Sequence, residues 1–113
     1  MENCIFCKII KGEIPSVKLY ENDEMIIIKD VAPQAPVHYL MIPKVHFKTI
    51  DEMNKEQSEI LGRCFYTLGG LKEKLGLENG YRLIMNQGAD ACQTVPHLHV
   101  HILAGKKMEE KMC

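Results

Sequence analysis

The 113-residue chain has no tryptophan, and aromatic residues make up only 6% of it. It also lacks a charge excess: 14 Lys and Arg stand against 15 Asp and Glu, a formal net charge of −1. That balance gives no global field to draw the protein onto nucleic acid or an anionic membrane, so neither is expected as a partner. No apolar run approaches the roughly 20 residues of a membrane helix. The opening Met1-Glu2 carries an acid where a secretory signal would carry bases. No linker, repeat or low-complexity stretch interrupts the chain, so a single domain over 1–113 is expected. Five cysteines are an odd number, which argues against a complete disulfide framework and for a reducing, cytoplasmic location.

What the chain does have is five His and five Cys in a short length. Periodicity places them. Residues 4–11 put Ile5 with Ile9, and Phe6 with Ile10, at helical spacing. Residues 17–20 and 24–29 flank the polar cluster Glu21-Asn22-Asp23 and predict a hairpin. Val37–Ile42 predicts a third strand after a loop with two prolines. A main helix is expected from Asn54 to Leu75, with Asn54 and Gln57 as a capping box and Gly76 as its stop. Tyr81–Asn86 and His99–Leu103 predict two further strands. The total is α+β: an antiparallel five-stranded sheet covered by one long and one short helix.

His97, His99 and His101 alternate, so on a strand they share one face while Leu98, Val100 and Ile102 point into the core. The bland alternative is a solvated, histidine-rich strand face. Two chemical readings compete with it. Imidazoles can bind zinc, copper or nickel. The middle one can also attack phosphorus, with its neighbours donating hydrogen bonds to phosphate oxygens. Cys4 and Cys7 lie one helical turn apart, so both thiolates can reach one ion, an incomplete clip that histidines would complete. A redox pair or small buried hydrophobes are the alternatives. Cys64 falls on the apolar stripe of the main helix, Cys92 in a polar loop and Cys113 at the terminus.

His97-Leu-His-Val-His-Ile-Leu103 resembles the His-φ-His-φ-His-φ-φ signature of the histidine triad (HIT) nucleotide-binding proteins. Phe6-Cys-Lys-Ile-Ile, Glu13-Ile-Pro15, Asp30-Val-Ala-Pro-Gln-Ala-Pro36, Ile42-Pro-Lys44, Gly80-Tyr-Arg-Leu83, Asn86-Gln-Gly88 and Gln93-Thr-Val95 are similar to the Hint branch of that superfamily. The resemblance implies a HIT-like fold whose protomers pair into a homodimer with a ten-stranded sheet. It implies hydrolysis of the P–N bond of purine nucleoside 5′-phosphoramidates, with aminoacyl adenylates as a further substrate, through a nucleotidyl-histidine intermediate. Dinucleoside polyphosphate hydrolysis, or nucleotide binding with little turnover, are the alternative functions.

Residue by residue, His99 matches the nucleophile, His97 and His101 its flanking histidines, and His38 a further member of the histidine network. Asp30 matches the acceptor of both ribose hydroxyls. Phe6, Ile9, Ile14, Ile28 and Val31 match the walls of the base pocket. Asn86, Gln93 and Thr94 match polar contacts, and Thr94 stands where many members have serine. Cys4, Cys7, His46 and His97 match a structural zinc site, one ion per protomer, found in a subset of the superfamily. One departure is plain. Where Hint proteins carry a Trp-Pro-Pro type tail, this chain ends Met108-Glu-Glu-Lys-Met-Cys113, read here as a solvated charged tail.

Overall fold

The computed structural model describes residues 3–111; Cys113 lies outside the described residues. Helix α1 (Ile5–Ile10) is capped by Cys4, whose sulfur accepts the Cys7 amide, and it buries Phe6 and Ile9. Strands β1 (Lys18–Glu21) and β2 (Met25–Lys29) form the expected hairpin. Asn22 closes its turn by accepting the amides of Glu24 and Met25 at 2.8 and 3.0 Å, because a short side-chain carbonyl can replace a backbone acceptor. Strand β3 (Val37–Pro43) follows the proline-containing loop, then helix α2 (Lys55–Gly69), the short strand β4 (Arg82–Ile84) and β5 (Val100–Ala104). The strands lie in the order β1-β2-β3-β5-β4, and all neighbours are antiparallel.

Helix α2 departs from expectation at its end. Its capping box is formed by Asn54 and Gln57, but it stops at Gly69 with Gly70 as C-cap. The chain then winds through turns before Gly76, which has φ +72°. Each glycine costs a helix roughly 1 kcal/mol, and the pair together ends it. Leu71 and Leu75 still pack against the core from the turns, which is why the apolar periodicity outruns the helix. A Cβ built on Gly69 would meet nothing within 4 Å, and one on Gly70 only the Thr67 carbonyl oxygen at 3.4 Å, so close packing against another element does not explain the pair.

The period-2 register sorts the strands onto two faces. Met25, Ile27, Met41, Val100 and Ile102 face one way and pack with Cys64 and Leu68 of α2. Ile26, Ile28, Leu40 and Ile42 face the other way and pack with Phe6 and Ile9 of α1. Fully burying each such side chain contributes about 1.5–3 kcal/mol. His38 and His101 belong to this second face: β3 and β5 pair His38 with Leu103 and Leu40 with His101. The short helix therefore covers the histidine face and the long helix covers the other.

Candidate active site and metal centre

Strand β5 begins at Val100, so His97, in a bend, and His99 precede the strand rather than standing on it. Alternation survives all the same, since Leu98, Val100 and Ile102 are fully buried. The imidazoles are not a solvated row. His97 and His99 are buried, and His101 is half-buried under the α1 layer.

His97 Nε2 lies 2.7 Å from the Pro43 carbonyl. A carbonyl only accepts, so Nε2 carries the proton and Nδ1 keeps a lone pair. That Nδ1 lies 3.4 Å from Cys4 Sγ, 3.6 Å from Cys7 Sγ and 3.1 Å from His46 Nδ1. Cys7 Sγ is 3.3 Å from His46 Nδ1. All four ligand atoms lie within 4.8 Å of one another. Zn–N bonds of about 2.0–2.1 Å and Zn–S bonds of about 2.3 Å give tetrahedral edges of roughly 3.3–3.8 Å, so the spacings fit a zinc-sized ion. Burial supports the same chemistry. It pushes the His97 pKa down to about 4, keeping the ring neutral, although the Pro43 hydrogen bond opposes it. Burial, followed by the neighbouring Cys4, raises the Cys7 thiol, which therefore needs a cation to ionise. The predicted ligands Cys4, Cys7, His46 and His97 are thus brought together as one donor set.

His99 continues the chain of positioning. Its Nδ1 donates to the His97 carbonyl at 2.8 Å, which leaves the lone pair on Nε2. Phe6 meets the ring edge-on, with centroids 4.9 Å apart. His99 and His101 line an open cavity of about 780 Å³ together with Phe6, Ile9, Ile14, Ile28, Asp30, Val31 and Thr94. Its walls are mainly aliphatic, which suits a flat heterocycle, and Asp30, Thr94 and the two histidines add polar groups to the lining. His38 stands behind this wall, with Nε2 2.9 Å from His101 Nδ1. Burial, then the neighbouring His99 and His38, lower the His101 pKa, and Asp30 opposes them.

Two of the predicted polar contacts fall elsewhere. Gln93 braces its own loop: its Oε1 accepts the Gly88 amide at 2.9 Å, and its Nε2 donates to the carbonyls of Lys48 and Val95. Asn86 does not line the cavity, and its carbonyl accepts from Gln87. The cavity adds Ile5, Pro15, Ser16, Val17, Lys29, Leu40 and Val95 to the predicted set. Pro15 and Val95 belong to the stretches Glu13-Ile-Pro15 and Gln93-Thr-Val95 that resemble the Hint branch, and Leu40 joins them through its pairing with Ile28; Ser16, Val17 and Lys29 have no sequence signal. The tail also lies apart. Arg82 donates to the Glu109 carbonyl at 2.8 Å, and neither Glu109 nor Glu110 lines the cavity.

The site thus defines a class: a histidine triad at the end of an apolar cavity, backed by a Cys/His metal centre. The family described as "Scavenger mRNA decapping enzyme C-term binding" matches residues 3–112. The chain is 42% identical to a "14 kDa zinc-binding protein" of Brassica juncea, over 92% of this chain and 94% of that one. It is 41% identical to "Adenylylsulfatase HINT1" of Arabidopsis thaliana, over 92% and 72%. A HIT family hydrolase from Clostridium thermocellum superposes with a TM-score of 0.94 at 48% identity, covering 100% of this chain and 99% of that one. The chain belongs to the histidine triad family, and its place there is among the Hint-like hydrolases.

Proposed function

We propose that the whole chain, 1–113, is one HIT domain that hydrolyses the P–N bond of purine nucleoside 5′-phosphoramidates. The observation that carries this reading is His99: buried, with Nδ1–H tied to a carbonyl, which leaves the Nε2 lone pair on a ring that lines the cavity. A neutral imidazole held in that tautomer is a competent nucleophile. Nε2 attacks phosphorus, a P–N bond to His99 forms as the P–N bond to the amine breaks, and the amine leaves with a proton taken from water. A second water then cleaves the nucleotidyl-histidine and releases the nucleoside monophosphate. His101 and Thr94 face the phosphoryl group, and Asp30 accepts the ribose hydroxyls. Ile14, Ile28 and Val31 hold the base.

Cys4, Cys7, His46 and His97 would hold one zinc ion, a reading supported by their spacing and by the name of the Brassica relative. Bound there, zinc supplies a cross-link between α1 and the approach to β5. His97 then holds His99 through its carbonyl.

The Arabidopsis relative's name supports adenylyl sulfate, and chemically similar aminoacyl adenylates, as further substrates, because both pair a nucleotidyl group with an anionic leaving group. A single-turnover assay with adenosine 5′-phosphoramidate tests the assignment. Wild type is expected to release ammonia through an adenylylated histidine, and His99→Ala to lose at least a thousandfold in rate. Equal slow hydrolysis by both proteins would leave a nucleotide-binding module instead.

A further inference from the structure

Carbonyls fix the protons of His97 and His99, whereas His101 is reached, through His38, by a backbone amide outside the triad. The amide of Gln34 donates to His38 Nδ1 at 3.0 Å. A peptide N–H can only donate, so Nδ1 holds a lone pair and neutral His38 carries its proton on Nε2. That Nε2 lies 2.9 Å from His101 Nδ1 and 3.4 Å from Asp30 Oδ2. Nε2 donates, so His101 Nδ1 accepts. Neutral His101 then has its proton on Nε2, the nitrogen directed away from His38, on a ring that lines the cavity.

We propose that the Gln34 amide is a positioning group: it imposes one proton arrangement along Gln34, His38 and His101 and makes His101 a permanent hydrogen-bond donor to a phosphoryl oxygen. The inference rests on the hydrolase reading only for what the cavity holds.

Three consequences follow from the direction of donation. Asp30, His38 and His101 bring ligand atoms within 4.8 Å of one another, the composition of a two-histidine, one-carboxylate metal site. A metal on His38 Nε2 would drive its proton onto Nδ1, against the Gln34 N–H. The trio is therefore a hydrogen-bond chain, unlike the centre at His97, whose Nδ1 is free to ligate. Second, protonating His101 at Nδ1 would set one N–H against another, so the arrangement keeps the ring neutral. Third, neutral His101 cannot give up Nε2–H without becoming an imidazolate. Refilling its Nδ1 from His38 would only move that imidazolate to His38. His101 therefore keeps its proton through the reaction and acts by hydrogen bonding alone.

The test is nitrogen-15 NMR of ring-labelled histidines in the full zinc-containing chain at neutral pH. His38 and His101 are both expected as Nε2–H tautomers, with a scalar coupling across the His38 Nε2–H to His101 Nδ1 hydrogen bond. A His101 found as the Nδ1–H tautomer, or as a cation, overturns the proposal. His38→Gln retains an acceptor for Gln34 and a donor for His101, whereas His38→Glu offers acceptors only. His101 is expected to stay Nε2–H in the first and to switch to Nδ1–H in the second. Turnover of adenosine 5′-phosphoramidate should fall at least tenfold further in the Glu variant. Identical tautomers and identical rates in the two variants also overturn it. The wild-type spectrum decides the matter if a variant fails to fold. If the His99→Ala assay defeats the hydrolase reading, the tautomer measurement still stands by itself.

Discussion

His97 does two jobs with one imidazole and one peptide carbonyl. Its ring joins the Cys/His cluster, and its carbonyl fixes the tautomer of His99. Cys4→Ser is therefore expected to lose most of the bound metal, to lower Tm and to slow turnover by about tenfold or more. Metal analysis after purification without added zinc checks this, and unchanged metal content in the variant would defeat the zinc assignment. Acid should act in the same direction. The unfolded chain protonates its histidines near the ordinary pKa of 6.5, whereas folded His97 does so only near 4, and His101 is lowered as well. Between those values the unfolded state binds more protons, so stability falls as pH drops from about 6.5 to about 4. Thermal melts across that range, with and without a chelator, measure it; a Tm that rises on acidification would contradict the burial of these rings. At this scale the sequence was most legible. Alternation alone put three imidazoles together, yet nothing in it distinguishes the metal-binding nitrogen from the nucleophilic one. The Pro43 and His97 carbonyls make that distinction, and they are tertiary partners or backbone atoms.

Elements rather than single residues shape the cavity. Helix α1 has only 6 residues, too few to persist alone. It holds because Phe6 and Ile9 are buried on the β2-β3 face. Phe6 serves both core and cavity, so Phe6→Ala is expected to cost about 3–5 kcal/mol of stability and also to raise KM. Chemical denaturation and kinetics on the same sample test both effects. The loop over residues 30–36 is set from the far side by Gly105. Its φ is +91°, and a Cβ there would lie 2.9 Å from Pro36 Cβ and 3.3 Å from the Val37 nitrogen. Gly105→Ala should cost about 1–3 kcal/mol and shift the Gln34 amide away from His38, visible in that amide's NMR resonance. A stable variant with an unmoved resonance would show the contact to be slack. The elements were partly legible. The hairpin and capping box followed from local rules. The end of α2 did not, because Leu71 and Leu75 keep the helical rhythm while packing from turns.

At the scale of the whole molecule the sheet ends on two outer strands, β1 and β4. Strand β4 lies outermost with only 3 residues, and Leu83 is 39% exposed on it. Tyr66 on α2 is 86% exposed, and a Cβ on Gly62 or Gly69 of that helix would meet nothing. Open strand edges recruit further strands. These features support a homodimer joined through β4 and α2. Sedimentation should give twice the chain mass for wild type and the single mass for Leu83→Glu; a monomeric wild type removes the dimer. No helix among the described residues is long and apolar enough to cross a membrane.

The sequence by itself determined the antiparallel sheet, the two helices and the cluster of histidines, because hydrophobic period, turn residues and caps act over a few positions. It also determined the donor types of the metal centre. Only the tertiary structure decided how these parts work together. Cys4 and His97 are 93 positions apart, and His38 and His101 are 63 apart. Their meeting depends on strand register, and a shift of one residue would send each side chain to the opposite face. The proton on His97 was likewise settled by the Pro43 carbonyl, 54 positions away, whose place beside the ring no local pattern encodes.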